Sequence, residues 1–344
     1  MSAPHDTVVV IGVGLALMAA QASSASARAD TLSIYQIQSE TTNGDASIHH
    51  LEVVDCPGGI VTAKIDRSVP RMFLQHPDYP DGWGAIQVKD LGSVGAFDDV
   101  NVGDWVSLTD VQVEEYRGTT LLQWDDYYNP GMIITTSGVP PVPSPLIVSA
   151  GDIPAPIYNP GDDSWRVENH DAEPYESMIL IVRDVTLTET GLGKANDNYV
   201  LQNPQSDECW AADYLNVDKP YSEDYHPYTV LDRHYCAVAG ALEQYTKILT
   251  RFDYYQLLTL SSVDLAICGD GDNDGDMDLV DMPRFAECMT GPMCDSQPDG
   301  CDPPAWMEDP LNLHIQHCLM MDQDYDGDVD LFDFVELQTV LGAP

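Results

Sequence analysis

The chain has 344 residues, 44 % of them apolar, enough for two or three separate cores. Its 57 acidic side chains outnumber 14 Lys and Arg, for a formal charge of −43. A surface this acidic repels phosphate backbones and anionic lipid headgroups and attracts divalent cations, which argues against nucleic acid as a partner.

Residues 1–29 read as an export signal. Val8 to Ala20 is a run of 13 small or apolar residues, too short to span a bilayer, with small-x-small cleavage candidates at Ala25–Ala27 and Ala27–Ala29. The segment ahead of the run lacks Lys and Arg. The expectation is a secreted protein, extracellular or at the cell surface. No later stretch has the roughly 20 apolar residues of a membrane helix. Eight cysteines in an exported chain favour disulfides, and the absence of Cys-x-x-Cys spacing disfavours zinc. The expected pairs are Cys209–Cys236, Cys294–Cys301 and Cys288–Cys318.

From residue 30 to 267 the chain repeats itself. FLQHPDYPDGWGA (73–85) aligns with VLQNPQSDECWAA (200–212), and VEEY (113–116) answers LEQY (242–245) at nearly the same offset. Each copy is rich in β-branched and aromatic residues, as in 59–63, 104–109, 177–182 and 255–260, punctuated by Gly, Asn, Asp and Pro. Five or so short strands in about 100 residues suit a closed barrel, because closure removes exposed edges. The expected organisation is a barrel over 30–136, a stiff Pro-rich connector over 137–161 and a second barrel over 162–267. GGIVTA (58–63), MFLQ (72–75), GWGAIQV (82–88), VGDWVSL (102–108), VEEYRGTTLL (113–122) and ESMILIVRDVTLTE (176–189) resemble the OB-fold-like region ahead of the catalytic domain in secreted bacterial nucleases. The resemblance implies two tandem OB-like β-barrels. The nuclease catalytic domain does not follow them in this sequence.

OB barrels bind single strands through basic grooves with stacking aromatics. Here Trp124, Tyr127, Tyr128, Tyr254 and Tyr255 offer rings, but Lys and Arg are scattered singly. The rings therefore pack the barrels or stack on sugars, which makes carbohydrate a candidate ligand. His49, His50, His76, His170 and His226 read as isolated loop residues. Gly-x-Ser-x-Gly, His-Glu-x-x-His and phosphate-loop motifs are absent, so no catalytic residue is assigned.

The last 77 residues hold 19 acids and one base. Two segments in them, DGDNDGDMDLVD (270–281) and DQDYDGDVDLFD (322–333), place acids at loop positions 1, 3, 5, 7, 9 and 12 with glycine at 6. This is the calcium-loop spacing of an EF-hand. Alternate residues of a curling loop point inward, and glycine allows the sharp turn at positive φ. The expected ligands of two Ca²⁺ ions are Asp270, Asp272, Asp274, Asp276, Asp278 and Asp281, then Asp322, Asp324, Asp326, Asp328, Asp330 and Asp333. Exiting helices are expected over 279–289 and 331–341. Aspartate at position 12 and the missing entering helices resemble a type I dockerin, a small α-helical calcium-binding module, over 268–344. That resemblance implies a cohesin-like partner or surface scaffold, with specificity at positions 10 and 11: Leu279 and Val280, Leu331 and Phe332. Packing between the two helices is the competing role for these four. The sequence thus reads as mainly β and mainly non-catalytic, a calcium-dependent attachment protein. An enzyme or accessory subunit in extracellular polysaccharide catabolism, associated with glycoside hydrolases, is the alternative; a nuclease-associated role ranks below it.

Overall fold

The computed structural model describes residues 29–289 and 318–341, apart from 43–44, 67–68, 92–94, 96, 194–196, 221–222, 224, 248–250, 273, 276, 319 and 324–328. Residues 1–28 of the expected export signal and the expected Cys294–Cys301 pair lie outside the described residues.

The first repeat builds β1 (Asp30–Thr31), helix α1 (Ile34–Ser39), β2 (Val53–Ile65), β3 (Arg71–Gln75), β4 (Ala85–Asp90), β5 (Trp105–Tyr116), β6 (Thr119–Trp124) and β7 (Gly131–Thr135). Around the sheet, β2 pairs β3, β3 pairs β4, β4 runs parallel to β6, β6 pairs β5, and β5 returns to β2. Five strands therefore close into a barrel with one parallel pair, the connectivity of an OB fold. The bend that permits closure falls where β2 bulges against β5. Gly58 sits there at φ +92°, and a Cβ would stand 1.6 Å from the Val106 carbonyl oxygen. Only glycine fits.

The second repeat follows the same route. Its strands are β8 (Leu146–Val148), β9 (Ile157–Asn159), β10 (Ser164–Arg166), β11 (Ile179–Leu192), β12 (Asn198–Gln202), β13 (Glu208–Ala212), β14 (His234–Lys247), β15 (Phe252–Leu258) and β16 (Leu265–Ile267). The closed ring is β11, β12, β13, β15, β14 and back to β11, with β13 and β15 parallel. The matched segments leave corresponding strands: 73–85 runs from β3 to the first residue of β4, and 200–212 runs from β12 through β13. The Pro-rich 137–161 segment is more than a connector: β8 pairs with β11, and β9 pairs with β10.

Each barrel has its own apolar interior, and Ile34 and Ile37 of α1 join that of the first. Ile65 and Phe73 of the first repeat pack on Ala212, Leu215, Ala241 and Leu258 of the second, so the barrels share a buried seam. Among the rings read as either barrel packing or sugar-stacking, Trp124, Tyr254 and Tyr255 are buried, whereas Tyr127 is 83 % exposed.

In the acidic tail, the regular structure among the described residues is two short helices, α2 (Met282–Cys288) and α3 (Leu331–Leu341), rather than a separate helical module. The first helix begins later than expected, with Pro283 in its first turn, where its missing N–H costs nothing. Phe285, Met320, Met321, Val329 and Leu337 pack on Ile181, Ala237, Ala239 and Ala266 of the second barrel. Two disulfides brace this contact, Cys236–Cys268 and the expected Cys288–Cys318. The expected Cys209–Cys236 pair does not form. Cys209 points into the barrel core, whereas Cys236 points outward to the tail. Burial pushes the Cys56 and Cys209 thiols up to about 12, which leaves both unreactive at neutral pH.

Candidate metal centre

The two acidic loops close in the same way. In the first, Asp281 at position 12 does not cap the helix it opens. Its side chain turns back instead, taking the amides of Gly271 (2.7 Å) and Asp272 (3.2 Å) on Oδ1 and that of Asp278 (2.6 Å) on Oδ2. In the second loop Asp333 accepts from the amide of Gln323 on Oδ1 (2.6 Å) and of Asp330 on Oδ2 (2.7 Å). Position 9 repeats as well: Asp278 accepts from Val280 N, and Asp330 from Phe332 N, both at 2.6 Å. Asp270 takes the amides of Asp274 and Gly275, and Gly275 holds φ +97° as position 6 requires.

One carboxylate oxygen each from Asp270, Asp272 and Asp274 lie within 4.8 Å of one another. Ca²⁺–O distances of 2.3–2.6 Å put opposed ligands about 4.6–5.2 Å apart, so the spacing fits that ion. Asp272 has its pKa raised by desolvation and by the charges of Asp274, Asp281 and Asp278, a repulsion that a cation would relieve. The donors are all oxygen, which suits calcium or magnesium rather than zinc. Asp276, Asp324, Asp326 and Asp328 lie outside the described residues. In the second loop Asp322 is buried against the second barrel, where Arg183 Nη2 of β11 donates to its Oδ2 at 2.6 Å.

Positions 10 and 11 do not pack the helices together. Leu279, Val280, Leu331 and Phe332 are 78, 61, 67 and 71 % exposed. The interhelical contact is made instead by the rings of Phe285 and Phe334, 5.6 Å apart.

Two further clusters gather at the seam between the barrels. His170, read from sequence as isolated, stands beside Asp45 and Glu173; one ligand atom from each falls within 4.8 Å of the others. Glu115 and Glu176 press on the same group, with burial the main cause of its altered acidities. Glu115 is pushed up to about 7 and Glu173 to about 8, with Glu176 also well above the carboxylate range. A hydrogen bond from His170 to Asp253 raises the imidazole. The local signal was HDAEPYE (170–176), but its partners Asp45 and Glu115 come from the other repeat.

The second cluster collects three of the scattered cations. Lys89 Nζ lies 3.4 Å from the Tyr116 ring centroid, and Arg117 stands over both Tyr116 and Tyr245. Arg71 pairs with Glu243 at 3.3 Å, and Tyr214 and Gln256 also donate to that carboxylate. Burial, then the charges of Arg71 and Arg117, bring the Lys89 ammonium down to about 8. Arg71, Tyr116, Arg117, Tyr245 and Tyr254 help line a cleft of about 180 Å³.

No helix among the described residues is long and apolar enough to cross a membrane. No protein-family model matches the chain, and no curated protein does. Several solved structures align with it, among them these two. One is fission yeast Pot1 with single-stranded DNA, 11 % identical, covering 62 % of this chain and 81 % of that one at a TM-score of 0.23. The other is a replication protein A heterotrimer bound to single-stranded DNA, 10 % identical, covering 67 % and 68 % at a TM-score of 0.22. The OB-fold assignment rests on the strand connectivity of this chain, not on these alignments.

Proposed function

We propose that the chain is a secreted, mainly non-catalytic calcium-binding protein, in which the loops at 270–281 and 322–333 each take one Ca²⁺. The observation that carries this reading is the closure repeated in both loops, where the position-12 aspartate gathers the amides of positions 2 and 9. Asp270, Asp272, Asp274, Asp278 and Asp281 would serve one ion. Asp322, Asp330 and Asp333, with the remaining aspartates of that loop, would serve the other.

In this reading the segment 268–344 attaches the protein to a cohesin-like partner or surface scaffold in the manner of a dockerin. Leu279, Val280, Leu331 and Phe332 supply the contact. Their exposure supports a partner face, since apolar side chains on a water-facing helix start contribute nothing to the chain's own core. Docking of the tail on the second barrel would hold the barrels and the partner in a fixed relation. The barrels, over 30–136 and 162–267, are the presenting or binding unit. The seam cleft favours a carbohydrate there, because tyrosine faces with flanking guanidinium donors match sugar rings and hydroxyls.

The test is affinity capture from a secreted proteome with the full chain, in Ca²⁺ and in chelator. Capture of a scaffold protein that is lost on chelation and in Leu279→Glu/Phe332→Glu supports attachment. Equal capture in both buffers rejects it. Release of sugar by the purified chain would move the assignment to polysaccharide breakdown.

A further inference from the structure

Resting on the carbohydrate reading of the seam cleft, we propose that the sugar taken there is acidic: a single hexuronate unit whose carboxylate meets Arg71, Lys89 and Arg117 and whose ring lies against Tyr116. The chain has only 14 Lys and Arg against 57 acids, and three of those cations converge on this one cleft of about 180 Å³.

These cations are short of acceptors. Lys89 is 6 % exposed, and among the described residues its ammonium has neither a hydrogen bond nor an ion pair. What it touches is the Tyr116 ring, 3.4 Å from the centroid. Burying an ammonium without a counter-ion is costly, and a π face returns only part of that cost. Arg71 stands opposite Lys89 across β3 and β4 and is 9 % exposed. Its Nη1 makes two long bonds, 3.3 Å to Glu243 and 3.5 Å to Gln87, and its Nε is buried with no acceptor. Arg117 donates to the Tyr245 hydroxyl rather than to a carboxylate. Glu243 is already taken, since Oε1 faces Arg71 while Tyr214 and Gln256 donate to Oε2 at 2.6 and 2.7 Å. Glu114 acts on Lys89 only from beyond ion-pair distance. A carboxylate from outside the chain would supply the missing acceptors, because its two oxygens match the paired N–H groups of a guanidinium.

The same cleft also has an acceptor that lacks a donor. Gln244 Oε1 is buried without a partner, and Nε2 of that amide is committed to Thr246 and Asp253, so the group cannot be turned over. The ionised carboxylate of Asp197, which also lines the cleft, only accepts. A uronic acid brings both kinds of group: carboxylate oxygens for the cations, and ring hydroxyls for Gln244 and Asp197. The phosphodiester of DNA offers acceptors alone, and a neutral hexose leaves the cations uncompensated. Tyr116, 41 % exposed, presents ring surface to the apolar face of a pyranose. The surrounding chain, at a formal −43, repels a long polyanion, so one acidic unit in an otherwise neutral glycan fits better than a polyuronate.

The experiment is isothermal titration of the full chain, with Ca²⁺ equal in cell and syringe. The probes are a disaccharide carrying one glucuronate and a disaccharide carrying one galacturonate, each compared with its methyl ester. One ligand per chain is expected, with at least one acid bound about tenfold tighter than its ester, which keeps the shape and loses the charge-assisted bonds. Lys89→Met and Arg117→Gln should each weaken the acid about tenfold and leave the ester unaffected. Circular dichroism and an unchanged heat of Ca²⁺ binding check that each variant remains folded. Equal affinity for acid and ester would overturn the acidic assignment and leave a neutral sugar in the cleft. Binding of neither would overturn the carbohydrate reading of the cleft as well. Acid binding undiminished in both variants would overturn the proposal by placing the sugar elsewhere. Oligothymidylate binding that both variants weaken, with no uronate bound, would overturn it in favour of a nucleic-acid site.

Discussion

Replacing Asp281 by alanine separates the structural role of position 12 from its metal role. The wild-type carboxylate accepts three amides, from Gly271, Asp272 and Asp278. Asp272 and Asp278 are exposed, so water can replace the carboxylate for them, whereas Gly271 is buried and its N–H would be left unmade. An unsatisfied buried donor costs about 1–3 kcal/mol, and bonds to a charged acceptor are worth about 1.5–3 kcal/mol each. The local loss in chelator is therefore about 2–4 kcal/mol. Calcium adds a separate term: a site filled at 100 times its Kd stabilises by about 2.7 kcal/mol. With about 2.1 cal/mol/K of unfolding entropy per residue, a chain of this length shifts by roughly 4 °C per filled site. Differential scanning calorimetry with and without Ca²⁺ should show a calcium-induced rise in Tm for the variant about half that of the wild type. An equal rise in both proteins would refute the reasoning, because position 12 would then have no part in holding the ion.

Other outcomes follow from the same structure. Cys268→Ser should unlink β14 from the tail; opening a bridge across 32 residues costs about 3–4 kcal/mol by chain entropy, read as a lower urea midpoint, whereas Cys209→Ala leaves peptide mapping of the disulfides unchanged. Leu279→Glu and Phe332→Glu should each change stability by no more than about 0.5 kcal/mol in urea unfolding, since both side chains are exposed; a large loss would mean that they serve the fold. Glu115 and Glu173 carry raised pKa values, near 7 and 8, so the folded metal-free chain keeps protons that the unfolded chain has released above its ordinary carboxylate pKa. Stability in chelator should thus be highest below about pH 4.5 as far as these groups are concerned, and fall as pH rises through 7 to 8. A urea midpoint that rises over that range would contradict the burial of these two carboxyls at the seam.

Sequence carried the barrels well, because repetition and turn chemistry are local signals. Leu74 and Leu201, at matching places in the two repeats, fall on β3 and β12, and Gly58 in GGIVTA marks the bulge that a closed sheet needs. The same locality explains the acidic loops, whose twelve-residue spacing states their closure before any fold is known. What failed depends on faces and long-range contact. Cys209 and Cys236 are near in sequence, yet β13 and β14 turn them to opposite sides of a barrel wall. For Tyr254 and Tyr255 the sequence left packing and stacking open, and burial in neighbouring packing groups decides for packing. His170 gained meaning only when the seam brought Asp45 and Glu115 to it, and the scattered Arg71, Lys89 and Arg117 met by the same route. The tail's docking on β11 and β14 was also invisible, since no local signal tells which face of its strand Ile181, Ala237 or Ala239 presents.

The decisive measurement is isothermal titration of the chelator-stripped full chain with Ca²⁺, repeated with Asp281→Asn and Asp333→Asn. Two ions per chain should bind, with each substitution removing one. Absence of heat on adding Ca²⁺, or stoichiometry that neither substitution changes, would contradict the assignment of the two acidic loops as calcium sites.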